Sequence, residues 1–194
     1  MLSLLAALAL VFAGAGMASQ ASTNRVLEAS VQSSMLAIDD EGWKAMSEQS
    51  KLDFLRPVVE LEAKALNLDA VPTLEVDDLP ENMAGQYSAM GNVIRLDGPY
   101  LASTDGWTAL LVVLHESFHA FQNKACTDPD AVAGSSASYV ADADIEQWKR
   151  ELSSYVSLEE DVEVYKAQQV EISADNYAQA RIGKYKSMLS QAGR

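Results

Sequence analysis

Two histidines, one cysteine, five prolines and fourteen basic side chains are the scarce members of this 194-residue chain, and their scarcity removes whole classes of protein. A single thiol, Cys126, cannot build an internal disulfide framework or a cysteine-rich zinc ribbon, although it suits either redox compartment. Fourteen Lys and Arg against 28 Asp and Glu leave a net charge of −14. That balance gives no basic footprint for a phosphate backbone, so nucleic acid is excluded as a partner. Apolar material is plentiful by contrast. Hydrophobic residues make up 48% of the chain, with seven Tyr, four Phe and three Trp, enough for one ordinary core. The expectation is a single domain over 22–194.

Charge is also missing from Leu2 to Ala18, where "LSLLAALALVFAGAGMA" runs apolar and then small. The run is the length of a signal h-region and marginally short for a membrane span. Gly16-Met17-Ala18 or Ser19-Gln20-Ala21 would supply small residues at the cleavage positions, so 1–21 reads as a signal peptide and the protein as exported, periplasmic or secreted. No Lys or Arg precedes the run, and left uncleaved it would tether the chain to a membrane. No cysteine follows to be lipidated, which disfavours a lipoprotein.

Past the leader, residues 23–68 have helical spacing, and Pro57 at a tolerated first position predicts the start of a short helix ending near Leu66. The period then shortens. Val71–Val76, Met83–Ser88 and Asn92–Asp97 alternate partially, and Ala89-Met90-Gly91 predicts a tight hairpin turn in a small, mainly antiparallel sheet. From about Asp105 to Lys124 the pattern is helical again, with Ser103, Thr104 or Asp105 as candidate caps. "CTDPDAVAGSSASYVADAD" predicts a surface loop, and "ADIEQWKRELSSYVSL" a helix. From Glu159 to Leu189 no proline interrupts, which predicts one helix of about thirty residues with Gly183 as its weak point.

Both histidines lie in one stretch, "LLVVLHESFHAFQNK", as His115-Glu116-Ser117-Phe118-His119. Residues four apart on a helix differ by about 40° around the axis and about 6 Å along it, so the two imidazoles project side by side and can share one ion. Glu116, beside a ligand, can reach a water there and take its proton as the water attacks a carbonyl. This is the H-E-x-x-H constellation of a zinc metalloprotease. The bland reading is a core helix whose two histidines are satisfied by hydrogen bonds. Uncharged residues on both sides of the motif, Val112 to Leu114 and Ala120-Phe121, resemble the extended signature of the zincin metallopeptidases.

A third ligand must be a carboxylate, because the chain has no third histidine and Gln122 stands where the H-E-x-x-H-x-x-G-x-x-H pattern has its glycine. The best candidate is "VEISADNYA", in which Glu171 and Asp175 are again four apart. One helix face can then present Glu171 to the metal and Asp175 to the outer N–H of a ligand histidine. Glu159, Glu160 and Glu163 are rivals, and Asp128 and Asp130 weaker ones. The pair resembles the E-x-x-x-D of the gluzincins, which implies an α+β zincin-like fold, Zn2+ as cofactor, a peptide or protein substrate, and those roles for Glu171 and Asp175. The resemblance covers about 58–124 and 165–182, including "AGQYSAMGNVIRLD", which is similar to the sheet edge of small gluzincin-like peptidases where a substrate adds as a strand. The segment between His119 and Glu171 is longer than in compact members of that group. Tyr165 and Tyr177, flanking Glu171, are candidate hydrogen-bond donors to a developing oxyanion. Two other readings follow from the same residues: a non-catalytic binding protein with a structural metal, and a metal-free helical protein tethered by its leader.

Overall fold

The structure, a computed structural model, describes residue 31 and residues 40–192. The leader read over 1–21 lies outside the described residues, as do the cleavage positions. Among the described residues no helix is long and apolar enough to cross a membrane.

Helix α1 (Asp40–Ala45) buries Trp43, whose indole N–H donates to the Thr104 carbonyl at 3.0 Å. Helix α2 (Glu48–Ala65) starts on a Ser47 cap that accepts from the Ser50 N–H. Pro57 therefore sits inside a helix and does not open one. An interior proline costs about 3 kcal/mol. Leu52, Leu55, Val58 and Val59 are all buried on either side of it, and each is worth roughly 1.5–3 kcal/mol, so packing outweighs propensity.

Strands β1 (Thr73–Asp77), β2 (Gly85–Ser88) and β3 (Val93–Asp97) form a sheet in the order β1-β3-β2. β2 and β3 pair antiparallel through the expected turn, where Gly91 and Asn92 take positive φ. β1 pairs parallel with β3, Thr73 opposite Val93 through Asp77 opposite Asp97. The sheet is mixed, which corrects the mainly antiparallel expectation. The hairpin is local and visible in its turn residues, whereas β1 occupies the far edge of β3 and its direction is set by tertiary packing. Central β3 buries Val93, Ile94 and Leu96, the near-continuous apolar pattern of a strand covered on both faces.

Asp97 caps the short helix α3 (Gly98–Ser103). Asp105 caps α4 (Gly106–Thr127), accepting from the Thr108 N–H at 2.9 Å and its hydroxyl at 2.6 Å. A 3-10 turn (Pro129–Val132) and α5 (Asp142–Ser153) follow. The expected surface loop is partly buried, at Ala131 within the turn and at Ser135 and Ala137 after it. The expected thirty-residue helix is two, α6 (Val162–Ala167) and α7 (Gln169–Ala192). The break falls at Gln168, whose amide pairs with both backbone groups of Val156 at 3.1 and 2.9 Å and so competes with a continuous helix. Glu151 accepts from the Val170 N–H at 2.8 Å, which caps α7 and puts Glu171 in its first turn.

Helix α4 runs through two apolar clusters. One joins α2, the sheet and Leu110, Val113 and Leu114; the other joins Phe118, Phe121, Trp148 and Tyr177. A polar network between α2 and α7 adds to them. Fully buried Glu62 accepts from Arg181 Nε at 2.8 and 2.9 Å and again from its Nη2, and from the hydroxyls of Tyr177 and Tyr185. Gly183, on the same helix, is exposed, and a Cβ there would meet nothing within 4 Å. Gly183→Ala should therefore stabilise the fold by about 1 kcal/mol, read as a shift in the urea midpoint at unchanged slope.

Candidate metal centre

α7 packs along α4, which brings together side chains from two separate sequence segments. His115 Nε2 and His119 Nε2 lie 2.9 Å apart, and Glu171 Oε2 is 3.3 Å from the first and 3.6 Å from the second. His115 Nδ1–H donates to Asp175 Oδ1 at 2.8 Å, and His119 Nδ1 lies 2.7 Å from Gln122 Oε1. With Nδ1 engaged in this way, the Nε2 atoms turn inward toward a carboxylate oxygen. Glu171 is 3% exposed, and its Oε2 is the one buried side-chain N or O among the described residues with no hydrogen-bond partner.

A buried carboxylate oxygen without a partner is costly, and three lone-pair atoms facing one another are electrostatically unfavourable. A cation relieves both. Ligand atoms about 2.0–2.2 Å from a tetrahedral zinc lie roughly 3.3–3.6 Å apart. The two His–Glu separations match that figure, and the His–His separation is shorter by a few tenths of an ångström. His115, His119 and Glu171 thus form a group that could hold a metal ion. The protonation balance shows the same demand for positive charge. Burial opposes a charged His115, but its contacts with Asp175 and Glu171 and the charge of Glu116 push its pKa up to about 10, so that without an ion a proton on the ring meets the demand instead. Burial likewise opposes ionised Glu171, yet the two histidines hold it far below the usual carboxylate range. Its place in the first turn of α7 adds the favourable end of the helix dipole.

The group forms one wall of a cleft of about 650 Å3, lined on one side by β2 residues Gly85 to Tyr87 and on the other by Leu152, Tyr155 and Leu158. Glu116 lines it too, 6% exposed. Burial pushes its pKa up, partly offset by the histidines and by a hydrogen bond from the Tyr87 N–H. β2 approaches α4 this closely because residue 85 is glycine: a Cβ there would lie 2.5 Å from Val112 Cγ1 and 3.2 Å from Glu116 Cγ.

Of the two candidate donors, Tyr165 lines the cleft, and burial with nearby Glu171 keeps its phenol protonated. Tyr177 does not reach the cleft. Its ring stacks on Phe118 with centroids 4.7 Å apart and its hydroxyl is committed to Glu62, so the oxyanion expectation is corrected there. Tyr155, which sequence reasoning missed, donates to Glu171 Oε1 at 2.8 Å and sets its ring against Tyr165. Only the fold of the segment after α5 brings it there, so no local pattern marks it. Glu160 is turned to Ser157, and Glu159, Glu163, Asp128 and Asp130 are absent from both the cleft and the His-His-Glu group.

No protein-family model, curated protein or solved structure matches the chain.

Proposed function

We propose that this chain is an exported zinc-dependent peptidase of zincin, gluzincin-like type. The observation that carries the reading is the convergence of His115, His119 and the unpartnered Glu171 Oε2 beside buried Glu116 in an open cleft. His115, His119 and Glu171 would hold Zn2+, which when bound would supply the Lewis acidity to acidify a water and polarise a carbonyl. Zinc is favoured over magnesium or calcium because two imidazoles with one carboxylate suit a borderline-soft ion better than a hard one.

Glu116 is the general base. Burial raises its pKa above the ordinary carboxylate value, and a more basic carboxylate better takes a proton from water and returns it to the leaving amine as the C–O bond forms and the C–N bond breaks. Asp175 holds the His115 ring through Nδ1. Tyr165, with its phenol kept protonated by burial and by Glu171, is the candidate donor to charge developing on the carbonyl oxygen, while the Tyr155 hydroxyl is committed to Glu171 Oε1. Edge strand β2 suits an extended peptide laid against it. The cleft takes apolar side chains against Leu111, Val112, Leu152 and Leu158, and no Lys or Arg among the described residues lines it. A mixed peptide library analysed by mass spectrometry should show cleavage of internal bonds beside apolar residues, abolished by chelator and restored by Zn2+. A zinc-loaded protein that cleaves no peptide would contradict this reading.

A further inference from the structure

We propose that Gln122 is a positioning residue of the metal centre: its buried amide fixes the tautomer of His119 and ties that ligand to Glu171. The proposal rests on the reading of His115, His119 and Glu171 as a metal centre, not on peptidase activity.

Gln122 is 1% exposed, and its polar atoms all find protein partners. Nε2 lies 2.8 Å from the Val170 carbonyl oxygen and 2.9 Å from Ser173 Oγ. A backbone carbonyl can only accept, so the end of the amide facing Val170 must be the NH2 group. The opposite end is then Oε1, which can only accept, and it sits 2.7 Å from His119 Nδ1. Nδ1 must therefore carry the hydrogen, and the lone pair of His119 is left on Nε2, toward His115 Nε2 and Glu171 Oε2. The orientation needs no assumption about the metal, because an immovable carbonyl on the neighbouring helix dictates it.

The same contact spans the two helices of the site. Val170 directly precedes Glu171, so one side chain links a ligand on α4 to the backbone beside a ligand on α7. His115 is oriented differently, by Asp175, whose side chain is 73% exposed. A neutral amide orients His119 without adding a fourth negative charge to a centre that already holds Glu116, Glu171 and Asp175. The working unit on α4 is therefore His115-Glu116-x-x-His119-x-x-Gln122, with the last position three residues beyond the second ligand, on the same helical face.

The test uses Zn2+ alone, with affinity measured by competition against a chromophoric chelator. Gln122→Met removes acceptor and donor at similar volume and should weaken Zn2+ binding about 10–100-fold, the usual loss when a ligand histidine loses its partner. Gln122→Glu keeps the acceptor for Nδ1–H but sets a carboxyl oxygen against the Val170 carbonyl, so it should weaken Zn2+ binding less than Gln122→Met does. Equal affinity of Gln122→Met and wild type would overturn the proposal, as would equal weakening in both variants, which would assign the amide a purely structural bridge. A second measurement needs no variant. Wild type loaded with Co2+ should show two slowly exchanging, hyperfine-shifted imidazole N–H proton resonances, one from each histidine. Absence of such a resonance from the His119 ring, assigned through its contacts, would show that His119 Nδ1–H is not held, and the proposal would fail. Wild type that takes up no metal would remove the centre itself and this role with it.

Discussion

Glu116→Gln should bind zinc as wild type does and lose turnover by about 10²–10⁴-fold, the contribution expected of a positioned general base. The variant separates chemistry from binding. Glu116 is not among the three converging ligand atoms, and Gln is nearly isosteric, so it can still accept from the Tyr87 N–H beside Gly85. What it cannot do is take a proton. Burial of Glu116 makes a large effect credible, since the group is aimed into the cleft from a position where bulk water is a poor substitute. Metal content by elemental analysis and initial rates on a cleaved peptide give the two readouts. Activity retained in Glu116→Gln would end the mechanism while leaving the metal centre standing.

Glu62→Ala should destabilise the fold by about 3–5 kcal/mol, because it strands Arg181 as an unpaired cation in a buried site. Two tyrosine hydroxyls lose their acceptor in the same step. The double variant Glu62→Met with Arg181→Met should recover most of that loss, since well-packed apolar pairs often equal a buried ion pair. Thermal or urea unfolding decides it. A loss below about 1 kcal/mol for Glu62→Ala would mean that solvent reaches Arg181 when its partner is gone. The effect extends to the site, because Tyr177 and Arg181 sit on the helix that carries Glu171 and Asp175. Loosening α7 from α2 should weaken metal binding as well as stability.

What could be read along the chain was what repeats at helical spacing. His115 with His119 and Glu171 with Asp175 are each four apart on one helix, so their shared faces follow from local geometry alone. The Asp105 cap and the Ala89-Met90-Gly91 turn are similarly local. Features set by distant partners were not legible. Glu62 and Arg181 are 119 residues apart, and nothing near either one marks it as buried. Gln168 looks like any polar helix residue until Val156 is folded against it. Gln122 read as a mismatch at a glycine position, and its role emerges only when Val170 supplies the carbonyl that fixes its amide. Pro57 misled for the opposite reason, since a strong local signal was overridden by the apolar stripe on both sides of it.

The central claim is that three side chains from α4 and α7 hold one metal ion, and metal content of the purified protein tests it most directly. Elemental analysis of wild type, His119→Ala and Glu171→Ala, each after zinc is added back and excess removed, should find about one zinc per chain in wild type. Both variants should lose it or hold it far more weakly. A folded wild type with no stoichiometric metal would contradict the account: the two histidines and Glu171 would then be a hydrogen-bonded cluster, and neither the peptidase reading nor the role given to Gln122 would survive.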